Sequence, residues 1–134
     1  MTPKLEGMAP LLQVFDMPAS VRFYRDVLGF QIVAQAPEGD DFDWCLLRRD
    51  GIELMLNTAY EAPSRPPAPD PGRAAAHGDV TLFIGCADLD AAWRDLRALG
   101  IAVAAPVVAP YGMRQLSLSD PDGYAICLQW PAAG

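Results

Sequence analysis

The apolar residues of this chain fall into two matching series. Residues 9–15, APLLQVF, and 79–85, DVTLFIG, carry them at strand spacing. Each strand leads into a stretch with helical spacing. In residues 16–30, DMPASVRFYRDVLGF, positions Val21, Tyr24 and Leu28 share a face with Val27. In residues 88–101, DLDAAWRDLRALGI, positions Leu89, Trp93 and Leu96 share a face with Ala92 and Leu99. Asp16 and Asp88 are suited to cap these helices, because a carboxylate accepts the orphan N–H groups of a first turn. Gly29 and Gly100 are suited to end them, because glycine enters the left-handed conformation cheaply. Three more strands follow each helix: 30–35, 43–49 and 51–57, then 101–105, 113–119 and 123–130. Gly51 and the DPDG segment at 120–123 supply hairpin turns.

The two series are a repeat. Gly29 and Gly100 lie 71 positions apart, and DGIELML at 50–56 returns as DGYAICL at 122–128, 72 positions on. The order is β-α-β-β-β, twice, which is an α+β fold. The reading is one domain over 1–134, with a first module at 8–59 and a second at 79–131. Between them, 60–78 holds five prolines at positions 63–71. Proline donates no backbone hydrogen bond and favours extended chain, so this segment is expected to be a linker. The alternative is a flap over a pocket.

Composition narrows the function. Half the chain is hydrophobic, enough for a core, yet no apolar run reaches the ~20 residues of a membrane span. The opening MTPKLEGMAP lacks the pattern of a secretory signal, so the expected compartment is the cytoplasm. A formal charge of −7 disfavours nucleic acid and would suit a cationic ligand. Cys45, Cys86 and Cys127 are odd in number and widely spaced, which argues against a disulfide framework or zinc ribbon.

The segments VFDMPASVRFYRDVLGF, GIELML, VTLFIGCADLDAAWRDLRALGI and DPDGYAICL together resemble the vicinal oxygen chelate superfamily. That group includes glyoxalase I, bleomycin-resistance proteins, fosfomycin-resistance enzymes and extradiol dioxygenases. The resemblance covers roughly 9–130. It implies two β-α-β-β-β modules whose sheets curl around a cleft. In metal-dependent members, the first and last strands of each module hold a divalent metal through His or Glu. The corresponding positions here read Ala9, Glu53, Thr81 and Cys127. The I-E-L and I-C-L segments supply Glu53 and Cys127; Ala9 and Thr81 each lie seven residues before a helix-capping Asp. A shifted strand would offer Asp79 or His77 to join Glu53 and Cys127. In place, only Glu53 is an ordinary ligand, whereas catalytic zinc and non-haem iron take three protein ligands. No metal and no other cofactor is therefore expected.

Strand alternation sets the rest of the expected cleft. It should carry Leu11, Gln13 and Phe15, then Glu53, Met55 and Asn57. Thr81, Phe83, Gln115, Ser117, Cys127 and Gln129 follow from the second module. Trp44 stands where the bleomycin-resistance type, whose ligand positions are also lost, keeps a tryptophan. Such a lining suits a mostly apolar small molecule fixed by a few polar groups. Glu53 is the candidate catalytic residue. Among apolar neighbours, desolvation would raise its pKa and equip it as a general acid or base. Cys127 is read as a small cleft residue; as a nucleophile it would need a cation, and Arg114 is the nearest. His77 is expected to be partly exposed at a strand entrance.

Three functions follow. The first is a metal-free small-molecule-binding protein, sequestering a hydrophobic or cationic compound. The second is a glyoxalase-like lyase or isomerase, or a dioxygenase-like enzyme, using Glu53 or a rearranged metal site. The third is a non-catalytic interaction module. The resemblance also implies a homodimer.

Overall fold

The computed structural model describes residues 2–133, and the chain divides after Pro67 into two compact units. The first unit runs β1 (Leu11–Val14), α1 (Met17–Arg22), β2 (Gln31–Ala36), β3 (Trp44–Arg49) and β4 (Ile52–Thr58). The second runs α2 (Pro71–His77), β5 (Thr81–Gly85), α3 (Leu89–Ala98), β6 (Val107–Val108), β7 (Met113–Ser119) and β8 (Ala125–Pro131). Each unit forms one four-stranded sheet. The orders are β1-β4-β3-β2 and β5-β8-β7-β6. In both, the first strand pairs parallel to the last, and the other pairings are antiparallel. The repeat read from the sequence is thus a repeat of topology, and the fold is α+β.

Local chemistry sets the helix limits. The Asp16 carboxylate accepts from the Ala19 N–H at 3.2 Å, and that of Asp88 from Ala91 N–H at 3.0 Å. Beyond Arg22 the first helix widens into a π-turn over Phe23–Val27. Its end is closed by Gly29 at φ +77 and by the Arg49 guanidinium, which donates to the Leu28 carbonyl at 2.5 Å. Most of the helical face foreseen from the sequence is buried: Val21, Tyr24 and Leu28 are, as are Leu89 and Leu96, with Val27, Ala92 and Trp93 partly covered, whereas Leu99, just past the last turn, is exposed.

The strands bury alternate residues. Leu12 and Val14 of β1, Cys45 and Leu47 of β3, and Leu54 and Leu56 of β4 form the core beneath α1 with Tyr24 and Phe30. In the second unit Leu116 and Ile126 take the same place with Leu89 and Leu96. Each such aliphatic or aromatic side chain contributes roughly 1.5–3 kcal/mol on full burial.

Two segments differ from the sequence reading. The strand expected at 101–105 is irregular chain. The Val103 carbonyl accepts from the Trp93 indole N–H at 3.2 Å rather than entering a ladder. Only Val107 and Val108 pair, with Gln115 and Arg114. Pro106 and Pro110 flank that short ladder, and neither can donate to it.

The second half of the Pro-rich 60–78 segment is helical rather than extended. Asp70 caps α2 by accepting from the Gly72 N–H at 2.9 Å, and Pro71 stands in the first turn, where its missing N–H costs nothing. Residues 62–64 add one 3-10 turn. The helix docks on the DPDG turn. Asp120 Oδ1 accepts from the N–H groups of Asp122 and Tyr124, both at 2.9 Å. The His77 ring stacks on Tyr124, centroids 4.1 Å apart and planes 9° from parallel, and its Nδ1 lies 2.8 Å from the Asp122 carbonyl oxygen. Among the described residues, no helix is long and apolar enough to cross a membrane.

This docking makes a glycine testable. Gly123 has φ +91, and a Cβ there would lie 2.5 Å from the Ala74 carbonyl oxygen. Gly51 has φ +85 but nothing within 4 Å. Gly51→Ala should cost about 1–2 kcal/mol, the left-handed penalty alone. Gly123→Ala should cost clearly more, because α2 must also shift. Urea denaturation of both variants checks this; equal losses would mean that α2 does not rest on the turn.

Candidate functional site

Each sheet has one face under its helix and one open face. On the first sheet, register pairs Trp44 with Asn57, Leu46 with Met55 and Arg48 with Glu53. It also pairs Leu11 with Met55 and Gln13 with Asn57. These residues share the open face. The Asn57 amide donates to Gln13 Oε1 at 3.3 Å and to the Thr58 carbonyl at 3.2 Å. Phe15, just past β1, meets the Tyr60 ring edge-on at 6.3 Å, and the Arg65 guanidinium lies 5.7 Å above it. The start of the Pro-rich segment therefore folds over Phe15.

On the second sheet, Thr81 pairs with Ala125, and Phe83 with Cys127. Ser117 also pairs with Cys127, and Gln115 with Gln129. These occupy the open face there. Gln115 Nε2 donates to Gln129 Oε1 at 3.0 Å and to the Tyr111 hydroxyl at 2.7 Å. Phe83 is 58% exposed, a large apolar surface on that face.

The environment of Glu53 departs from expectation. Its carboxylate receives the Arg48 guanidinium twice, at 2.6 and 3.0 Å. It meets a cation rather than the apolar surroundings expected of it. Arg48 lay beyond the sequence reading, although RRDGIE contains the signal: a two-residue Asp-Gly turn sets Arg49 against Ile52 and hence Arg48 against Glu53. Tyr60, Arg65 and Tyr111 were likewise not singled out.

Arg114, the cation expected beside Cys127, is directed elsewhere. Arg114 pairs with Trp130, on the helix side of the sheet, and donates to Asp90 Oδ1 at 2.7 Å. That bond raises the Arg114 pKa and lowers that of Asp90. Burial pushes the Cys127 thiol upward, with a Ser117 hydrogen bond opposing. Burial pushes Cys45 up to about 11. Neither environment activates a thiolate.

Register also realigns the fourth metal position. Leu11 and Phe83 are equivalent by the 72-residue repeat, and they pair with Met55 and Cys127. Strand pairing thus aligns Cys127 with Met55 and Ala125 with Glu53, two residues from the alignment that I-x-L spacing gives. On either alignment the residues do not fit a divalent metal. Ala9 and Ala125 offer methyl groups, Thr81 a weak hydroxyl, Cys127 a buried thiol, and Glu53 a carboxylate already held by arginine. The alternative donors are also displaced: Asp79 precedes β5, and His77 is engaged by Tyr124 and the Asp122 carbonyl. Among the described residues, no three His, Cys, Asp or Glu side chains group to hold a metal ion.

Comparison with known proteins gives a consistent picture. A family model described as the Glyoxalase/Bleomycin resistance protein/Dioxygenase superfamily matches residues 8–128. No curated protein gives a match. Among solved structures, TnmS3, an antibiotic binding protein from Streptomyces sp. CB03234, is similar at 28% identity and a TM-score of 0.67. The match covers 96% of this chain and 98% of that one. A glyoxalase/bleomycin resistance protein/dioxygenase from Nocardioides is similar at 22% identity and TM-score 0.72, covering 99% of this chain and 88% of that one. A bleomycin-binding protein complexed with bleomycin is similar at 23% identity and TM-score 0.69, covering 93% and 98%. The last two likenesses concern the fold.

The thiols provide a check on the site. At pH 8, a thiol with a pKa of about 11 is only about one part in a thousand thiolate, so native Cys45 should resist Ellman's reagent. The half-buried Cys86 should react first and Cys127 later. If Cys127→Ser removes the fastest phase, Cys127 is an activated thiol and this assignment is wrong.

Proposed function

The chain belongs to the Glyoxalase/Bleomycin resistance protein/Dioxygenase superfamily, and from that premise we propose that it is a metal-free small-molecule-binding protein that sequesters a hydrophobic or cationic compound. The observation that carries this reading is the donor chemistry at the family's metal positions. Ala9, Thr81 and either Cys127 or Ala125 supply no ligand set, and Glu53 is neutralised by Arg48. What the open faces offer instead is apolar surface at Met55, Trp44 and Phe83, edged by the amides of Gln13, Asn57, Gln115 and Gln129. That is the composition of a ligand site. The likeness to an antibiotic binding protein supports the same reading.

The Arg48–Glu53 pair bears on the ligand. A neutral apolar compound meets a face whose one carboxylate is already balanced, whereas a cationic compound must compete with Arg48. We further place the protein in the cytoplasm as a homodimer. Exposed Val107, Val108, Tyr111 and Trp130 are surfaces that a second copy would cover.

Three measurements test the proposal. Protein purified without chelators should contain far less than stoichiometric Zn, Ni, Fe or Mn. A stoichiometric metal lost on Glu53→Gln would overturn the metal-free reading. In a thermal-shift screen of cationic glycopeptides, polycyclic aromatic antibiotics and glutathione adducts, at least one class should stabilise the protein. A ligand at ~100 times its Kd adds about 2.7 kcal/mol. No shift with any class removes the support for sequestration. Arg48→Gln should tighten a cationic ligand and leave a neutral aromatic one unchanged. Stability itself should fall by less than about 1 kcal/mol, since the pair is half-exposed.

A further inference from the structure

The first unit carries a concavity on the opposite side of its sheet from the open face. It is a groove of about 540 Å³ between α1, β2 and the β2–β3 loop. That volume lies within the range of small-molecule sites. Its side of the sheet follows from register: Ile32 and Gln35 pair with Leu47 and Cys45, whose side chains lie under α1, not with the Trp44 side. Among the lining residues, Met17, Val21 and Phe42 supply an apolar floor.

The two walls carry opposite charge. Arg22 stands on the helix wall, and Asp40 and Asp41 on the loop wall. Arg25 also borders the groove, but its guanidinium is bound to Asp26 at 2.8 and 3.3 Å. No comparable side-chain ion pair engages Arg22, Asp40 or Asp41 among the described residues. Arg22 acts on Asp26 only as a weak neighbouring charge.

The acidic wall is built into the fold. The Asp43 N–H donates to the Ala36 carbonyl at 2.9 Å, closing the loop at its base. The Gln35 side-chain amide donates to the Gly39 carbonyl and holds the loop across its middle. Gly39 turns there at φ +107, a conformation open to glycine. Asp40 and Asp41 follow directly and are thereby carried to the groove.

We propose that this groove is a second binding site, taking a small zwitterion with an apolar body. The ligand's anionic group meets Arg22, its ammonium meets Asp40 and Asp41, and its apolar part lies on Met17, Val21 and Phe42. A monovalent ion of either sign would satisfy one wall and be repelled by the other. An uncharged apolar compound would gain nothing from either charged wall. The proposal does not rest on the reading of the open faces, and it uses none of their residues.

The probe is the dipeptide leucyl-phenylalanine, compared with its N-acetylated form and its C-terminal amide, by two-dimensional ¹⁵N–¹H NMR on the full chain. The dipeptide should give saturable shifts at the amides of Val21, Ile32 and Gly39. Each blocked form should bind roughly two- to fivefold more weakly, since each loses an exposed charge contact. Asp40→Asn with Asp41→Asn should reduce the dipeptide to the affinity of its acetylated form. Arg22→Gln should reduce it to that of the amide. All three residues are exposed, so the variants should keep the wild-type spectrum elsewhere. Equal binding of the three probes overturns the proposal. So does the absence of saturable shifts up to the solubility limit, or shifts confined to Trp44, Met55 and Phe83 of the open faces.

Discussion

A strand that packs a helix against one face sends every second side chain to the other. In each unit, the last strand sits between a parallel neighbour and an antiparallel one, so its two faces are fixed from both sides. Leu54 and Leu56 of β4 lie under α1, which commits Glu53, Met55 and Asn57 to the open face. Ile126 of β8 does the same for Cys127 and Gln129. The candidate site is thus a by-product of core packing. Moving one of its strands by a single residue would turn an apolar row to solvent and bring polar groups into the core.

Electrostatics then decides what those faces can do. Two arginines set the charge around the site residues. Arg48 binds Glu53 and cancels its charge, while Arg114 turns to the helix side and binds Asp90. The carboxylate meets a cation in place of the apolar surroundings expected of it, and Arg114 is turned away from the thiol. The open faces retain amides, hydroxyls and apolar surface beside that ion pair and that buried thiol.

Most of the topology was legible because it is written in periodicity: strand spacing, helical spacing, a capping Asp and a terminating Gly, each twice. What escaped depended on partners distant in sequence or on conflicting local signals. In 60–78 the prolines argued for extended chain, while Asp70-Pro71 followed by an alanine run is a helix start, and the docking of His77 on Tyr124 settles the matter. At 101–105 the apolar residues suit a strand, but the Trp93 indole takes the Val103 carbonyl. Arg48 was within reach of the turn arithmetic, whereas the closure of Tyr60 and Arg65 over Phe15 is tertiary and leaves no periodic trace.

The slip in the fourth metal position explains why an imperfect alignment still found the right face. Local spacing, I-E-L against I-C-L, equates Glu53 with Cys127, whereas strand register equates it with Ala125. The two answers differ by two residues, one full period of the pleat, so parity is preserved and both residues remain on the open side. A slip of one would have sent the candidate into the core beneath α3. Face assignments drawn from sequence are therefore sturdier than positional equivalences along the strand.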